Sequence, residues 1–497
     1  MSATQISGRL PVRFAFRAAG RTAIVQELAL AACFLMLVAV AAGMGMVGAG
    51  SLARPMYILS GVGIAYVTRR MSPWLFLFAV YWFWLITPFV RRVVEWHSGF
   101  STGDMILVTP ALMSMFIAVD LMNAPGVFRR PGIGYALTLT VCALFGLFVS
   151  FFKGDVVPGL LSGVDWLIPL LYLYHFICHA DRIDEVEPHL ATFLTLSLLV
   201  VVPYSLYQYF EMPEWDAFWM INAGMGSVGN PLPEGSRVFG PTGSPAYLAI
   251  WCGTSVVLLS HFRNKTLMLL SPLLFFLVAL TMVRAIYGSM SLAILVGIVF
   301  VGRARFGQLI AIILICGSLA GVSASALYPG TFDKIAARFT SVESLSSDDS
   351  AAARRGVIAQ APKLIADNPL GVGIGGQGRG KTAGNDASTG YNIDFGPLSV
   401  YIGLGWIAGT IYVLTMGLLI VRCLSVARHC RSPVGATMAS AALVTAGCFP
   451  FINILGFGGV VLWTCLGYVL AINIHETGQA RRLAANTRPS RRLLAQV

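Results

Sequence analysis

The stretch LFFLVALTMVRAIYGSMSLAILVGIVF, residues 274–300, is apolar or small throughout except for Arg284 and the weakly polar residues beside it. Its two apolar flanks read as membrane spans, 266–283 and 286–302, joined at the arginine with no polar loop between them. A charge at the centre of a membrane helix costs about 2.5–3.5 kcal/mol on insertion scales. Arg284 therefore either sits at the membrane boundary or holds something that offsets that cost.

The rest of the chain has the same character. Of 497 residues, 57% are hydrophobic and only 11% charged, which excludes an ordinary soluble domain and indicates a polytopic membrane protein. Apolar stretches long enough for a bilayer core of about 30 Å recur along the chain. The expected spans are 26–48, 52–68, 72–90, 104–122, 133–152, 159–179, 190–210, 245–262, 266–283, 286–302, 308–328, 396–421, 435–454 and 457–474. The fold class is thus all-α and polytopic, with about fourteen membrane helices. The first apolar run follows Arg9, Arg13, Arg17 and Arg21 and lacks a cleavage site, so it reads as a membrane helix and not a signal peptide.

Charge placement orients these spans. Arg69, Arg70, Arg129, Arg130, Arg182, Arg263, Lys265, Arg303, Arg305, Arg422, Arg428 and Arg431 fall in loops of one side, together with both basic termini. By the positive-inside rule that side is cytoplasmic. The expected organisation is a basic N-terminus (1–25), N-terminal membrane helices (26–210), an outer loop (211–244), central helices (245–328), a large outer loop (329–395), C-terminal helices (396–474) and a basic tail (475–497). In the large loop, Val357, Ile358, Ala361, Leu364 and Ile365 recur at helical spacing after a run of capping residues, as expected of an amphipathic helix at the interface. A surface helix with solvated charges fits the same pattern.

Several function classes drop out. The net charge of +12 could suggest nucleic acid, but its placement follows membrane orientation. The nine cysteines include no C-x-x-C pair and read as small core residues. His175 and His179 share a helix face but have no third ligand in view, so no metal site is expected. GVGIGGQGRGK (371–381) follows no strand, so it is not read as a nucleotide loop. Asp165 is the most membrane-embedded acid. Glu211, Glu214, Asp216, Glu234, Asp386 and Asp394 are outer acids available as a base.

Arginines stand out on the outer side, where the orientation rule disfavours them. They are Arg54, Arg91, Arg92, Arg237, Arg284, Arg338, Arg354, Arg355 and Arg379. Arginine is permanently charged and its planar fork matches phosphate oxygens two at a time. The cluster suits a lipid-linked phosphate or diphosphate. For any single arginine, snorkelling to lipid headgroups competes with this reading.

Four segments carry a resemblance: RVFGPTGSPAYLAIW (237–251), LTMVRAIYG (280–288), AARRGVIAQAPKLIADNPLGVGIG (352–375) and YNIDFGPLSVYIGLGWIAG (391–409). In this order they resemble the motifs of the O-antigen ligase and Wzy-type polysaccharide polymerase superfamily, integral membrane glycosyltransferases of the GT-C kind. The similarity spans about 237–421; the N-terminal third matches only in hydrophobicity, apart from PFVRR (88–92). The resemblance implies an inner-membrane enzyme, both termini cytoplasmic and its site facing the periplasm. The donor would be an oligosaccharide on undecaprenyl diphosphate, with no cofactor and no metal. Further implied partners are the lipid bilayer, a chain-length regulator and a flippase. By the same resemblance Arg284 and Arg354 would hold the diphosphate as it leaves. Arg237, Arg355, Arg91, Arg92 and Asn392 would line the substrate site. Ligases typically carry a histidine where this chain has Tyr391-Asn392-Ile393-Asp394, so Asp394 is the expected base and the polymerase branch is favoured. A helix cap is the competing reading of Asp394. A ligase moving the glycan to lipid A-core is the near alternative, and a glycolipid transporter or flippase the alternative of another class.

Overall fold

A computed structural model describes residues 12–487 apart from 225, 263–269, 303–306, 309, 312–313, 315–329, 331–361, 364, 376–394 and 431. The described residues are helical, with one isolated bridge, Gly229 to Ser236, outside the helices. The principal helices are α1 (Val12–Met46), α2 (Gly50–Met71), α3 (Pro73–Ser98), α4 (Thr109–Asn123), α5 (Ile133–Phe152), α6 (Val156–Cys178) and α7 (Val186–Glu211). They continue with α8 (Glu214–Asn222), α9 (Pro245–Leu259), α10 (Ser271–Leu280), α11 (Arg284–Phe300), α12 (Gly396–His429), α13 (Pro433–Ala446) and α14 (Phe457–Thr487). Among the described residues, eight are long and apolar enough to cross a membrane: α1 from Gly20 onward, α3 to α7, α12 and α14, with short flanking turns. The chain is therefore an all-α, multi-pass membrane protein. Helices α9, α10, α11 and α13 are apolar but shorter.

Helix α3 sits at the centre. Its first half, PWLFLFAVYWFW, is apolar on every face and buried on every face, as expected of a helix enclosed by others. Helices α1 and α2 pack along it, α14 packs along α6, and α11 packs along α13. Polar links cross the apolar interior where two tyrosines need partners. Tyr81 on α3 donates to Thr464 on α14 at 2.6 Å, and Tyr172 on α6 accepts from Trp84 Nε1 at 2.8 Å.

Several expected boundaries change. Helix α1 begins inside the expected basic N-terminus, and α14 runs past residue 474 to Thr487. Helix α2, expected to span at 52–68, is not among the eight; its hydropathy is diluted by Gly, Ser, Thr and three arginines. The outer segment 211–244 contains α8, entered through a left-handed Met212 and Pro213. The expected span 435–454 stops at Ala446, and residues 447–456 are irregular. The expected span 308–328 lies outside the described residues except for a few positions, and so does all but the end of the amphipathic segment around Val357–Ile365.

Candidate functional site

The site is built around the corner between α10 and α11. Helix α10 ends at Leu280. Thr281 folds its hydroxyl back onto the Val278 carbonyl at 2.6 Å, and Met282 turns the chain through a positive φ of 54°. Val283 is extended, and Arg284 is the first residue of α11, with no side chain capping the helix start. Arg284 is half-buried. A cation is an uncommon choice here, because the start of a helix carries partial positive charge and favours anions.

A strap leading from α8 to α9 reaches this corner. The Val238 N–H donates to the Leu280 carbonyl at 3.2 Å, and Arg237 Nε donates to the Thr281 carbonyl at 3.0 Å. These bonds satisfy carbonyls left open at the end of α10. They also set Arg237 beside the turn that carries Arg284. Arg237 is thereby fastened to the chain three positions before Arg284.

The arginines of α2 and α3 are held differently. Arg92 is 1% exposed, and its three nitrogens each lie within 2.8 Å of a protein oxygen: Asp216, Thr242 and Gly240. The rings of Phe239 and Trp219 face its guanidinium at 4.9 and 5.7 Å. Arg91 pairs with Glu95 at 2.9 Å and also donates to the Ser101 carbonyl. Arg54 pairs with Asp104 at 2.7 Å and reaches Ser98. These residues tie the chain together, so the expectation that Arg91 and Arg92 line the substrate site gives way to a structural placement. Buried guanidinium groups need full pairing, and local oxygens supply it. Asp216 is likewise withdrawn from the outer acids available as a base. It is fully buried and accepts from Tyr204 at 2.7 Å and Gln208 at 2.6 Å as well as pairing with Arg92.

Two glycine-rich segments expected to be a turn and a helix dock on each other. Helix α12 is broken at Gly405, whose φ is 75° and ψ −176°. The break releases the carbonyls of Ile402 and Gly403 and the N–H of Trp406. Residues 369–375, PLGVGIG, satisfy all three. Val372 N–H reaches Ile402 at 2.8 Å, Gly373 N–H reaches Gly403 at 3.1 Å, and Trp406 N–H reaches the Pro369 carbonyl at 3.0 Å. Backbone groups released at membrane depth need such partners. The fit admits no side chain: a Cβ on Gly371 would come 2.5 Å from the Gly405 nitrogen. The same segment bonds α5 at the Gly146 carbonyl and Ser150 Oγ.

The irregular residues 447–456 connect the corner to the start of α12. Ser289 on α11 meets Cys448 at 3.3 Å, Phe449 lies against Gly396, and Asn453 donates to Ser399 on α12 at 2.9 Å. At the far end Gly456 N–H donates to the Asp165 carbonyl at 3.0 Å, and Tyr247 on α9 donates to the Leu455 carbonyl at 3.1 Å. Asp165 is thus buried beside the loop. The signals for this break stand in the sequence as Gly447, Pro450, Asn453 and Gly456, within a run whose hydrophobicity suggests an unbroken span. The breakers outweigh the hydropathy because loop backbone groups find partners on α6 and α9, and the Asn453 side chain finds one on α12.

Arg354, Arg355, Asn392 and Asp394 lie outside the described residues. His175 and His179 sit against Trp74 at the other end of α6, where His175 is buried within hydrogen-bond reach of the Pro73 carbonyl. Among the described residues, no group of three or more His, Cys, Asp or Glu could hold a metal ion. What the described geometry offers chemically is an arginine at the start of α11, beside a turn to which Arg237 is fastened. The sequence matches no protein-family model, and no curated protein is similar to it.

Proposed function

We propose that the protein is a bacterial inner-membrane polysaccharide polymerase. It transfers a growing glycan from undecaprenyl diphosphate to a lipid-linked repeat unit, in exopolysaccharide or O-antigen synthesis. The reading includes the fourteen-span topology, cytoplasmic termini and a periplasmic site, and it rests on the motif resemblance together with one structural observation. That observation is the docking of the Arg237 strap on the corner that presents Arg284. Two segments that resemble separate family motifs meet through a backbone bond from Val238 to Leu280 and a guanidinium bond from Arg237 to Thr281, 44 positions apart. Further support comes from residues 447–456, which link α11 to the start of α12, immediately after Asp394 in the chain.

In this reading an acceptor hydroxyl attacks the anomeric carbon of the donor. The bond to the diphosphate oxygen breaks, and the leaving group departs with the electron pair. Arg284, Arg354 and Arg237 stabilise the charge that develops on it. Asp394 takes the hydroxyl proton. Alignment of two long substrates requires that the site hold these arginines in place, and the Arg237 and Val238 bonds to the turn before Arg284 support that reading.

Deletion of the gene tests the proposal. Single lipid-linked repeats should accumulate, accessible on the outer leaflet, while long chains disappear. Accumulation on the inner leaflet instead would identify a flippase and end the polymerase reading.

A further inference from the structure

Arg92 and Asp216 form the most enclosed ion pair among the described residues, 2.6 Å apart with side chains 1% and 0% exposed. Such a pair is costly to desolvate, and an apolar pair would often serve stability as well. Its geometry shows what the charges accomplish. Arg92 Nη1 donates to the Thr242 carbonyl at 2.8 Å and Nη2 to the Gly240 carbonyl at 2.6 Å. Gln208 accepts from the N–H groups of Phe239 and Gly240 at 3.1 and 2.7 Å, and its amide donates to Asp216 at 2.6 Å. Tyr204 donates to Asp216 at 2.7 Å and is itself held by Trp215. The strap 239–242 is therefore gripped on both its carbonyls and its N–H groups by one buried network on α3, α7 and α8. Two residues upstream, the same strap is fastened to Leu280 and Thr281 through Val238 and Arg237.

We infer that Arg92 and Asp216 are positioning residues for the diphosphate site. They fix the strap 237–242, and through it the α10–α11 corner that presents Arg284. Neither touches the substrate. The inference rests on the proposed polymerase reading for its functional consequence, but its mechanical part stands apart from that reading. Lysine at position 92 would keep the ion pair with Asp216, yet its single ammonium cannot reach both strap carbonyls with the planar fork of arginine.

The test is Arg92→Lys in the purified full-length protein in lipid nanodiscs. Hydrogen exchange should become about tenfold faster at residues 237–242 and 281–284 and stay unchanged in α14, since only the local opening equilibrium shifts. With undecaprenyl-diphosphate-linked repeat unit extracted from a deletion strain as donor, kcat and kcat/KM should both fall about tenfold with KM within about twofold of wild type, because a loosened corner stabilises the developing charge less well. If Arg92→Lys does not accumulate, the double variant Arg92→Met with Asp216→Leu removes both charges together and takes its place. Unchanged exchange at both segments would overturn the clamp. Faster exchange with unchanged kcat/KM would overturn its role at the site while leaving the polymerase reading intact. Faster exchange throughout the bundle would reduce the pair to a general stabiliser and also overturn it. If the wild-type protein shows no turnover, the polymerase reading fails, and the exchange data alone decide whether the clamp holds the corner.

Discussion

Arg237 Nε donates to the carbonyl oxygen of Thr281 at 3.0 Å, three positions before Arg284 begins α11. The contact places a second guanidinium at a corner that already combines a cation with the positive end of a helix. Like charges gathered at the edge of a low-dielectric interior repel one another. In the proposed reading a diphosphate neutralises the charges at this corner, whereas Arg92 on α3 is enclosed by Asp216 and the carbonyls of Gly240 and Thr242.

Geometry matters here as well as charge. Arg284→Lys keeps the cation but loses the two-point match to phosphate. Polymer yield in a deletion strain should fall at least about tenfold with lysine, and further with alanine. Full yield from the lysine variant alongside loss in the alanine variant would show that charge alone suffices.

The docking of PLGVGIG on the broken α12 predicts a steric phenotype away from the Arg284 corner. Gly371 and Gly405 both have positive φ, and a Cβ on either would come about 2.5 Å from the other's backbone. Gly371→Ala or Gly405→Ala should each destabilise the protein by about 1–3 kcal/mol. Gly417→Ala, on the same helix with nothing within 4 Å of the added carbon, should be neutral or slightly stabilising. Thermal unfolding in detergent reads the difference. Equal behaviour of the three variants would argue against the docked arrangement.

The helical class was legible because bilayer thickness imposes run length on the sequence, and the runs around Val80, Leu139 and Leu170 could hardly be read otherwise. The junction at Arg284 was legible for the same reason, since an arginine inside an apolar run must mark an end. What hydropathy could not convey was which arginine faces what. Arg91 and Arg92 look like Arg237 and Arg284 in sequence, yet Arg92 is enclosed by Asp216, a residue 124 positions away by number that no local pattern connects to it. The break at Gly405 was hidden too. A glycine inside an apolar run signals only tolerance of a bend, and the partner that completes it lies far earlier in the chain, at 369–375.

Asp394 gives a chemical prediction. Proton acceptance from an attacking hydroxyl typically contributes about 10²–10⁴-fold to rate. Asp394→Asn should leave membrane levels normal and abolish polymer, because asparagine caps a helix about as well but takes no proton. Full polymer from this variant would mark Asp394 as a cap and move the search for the base to Glu234 and Asp386.

Metal independence can be tested with purified protein. Turnover should be the same with and without EDTA, because a leaving diphosphate held by arginines needs no divalent ion for charge neutralisation. Loss of turnover restored by magnesium would transfer that role from the arginines to a metal.

In the proposed reaction the Arg284 corner holds the diphosphate of a glycolipid donor during glycosyl transfer. Purified protein supplied with undecaprenyl-diphosphate-linked repeat units, with both products quantified, tests this. The wild-type protein should release one undecaprenyl diphosphate for each glycosidic bond formed, and Arg284→Ala, folded to the same extent, should give neither product. Chain growth by Arg284→Ala at the wild-type rate, or a wild-type protein that forms no glycosidic bond, would contradict it.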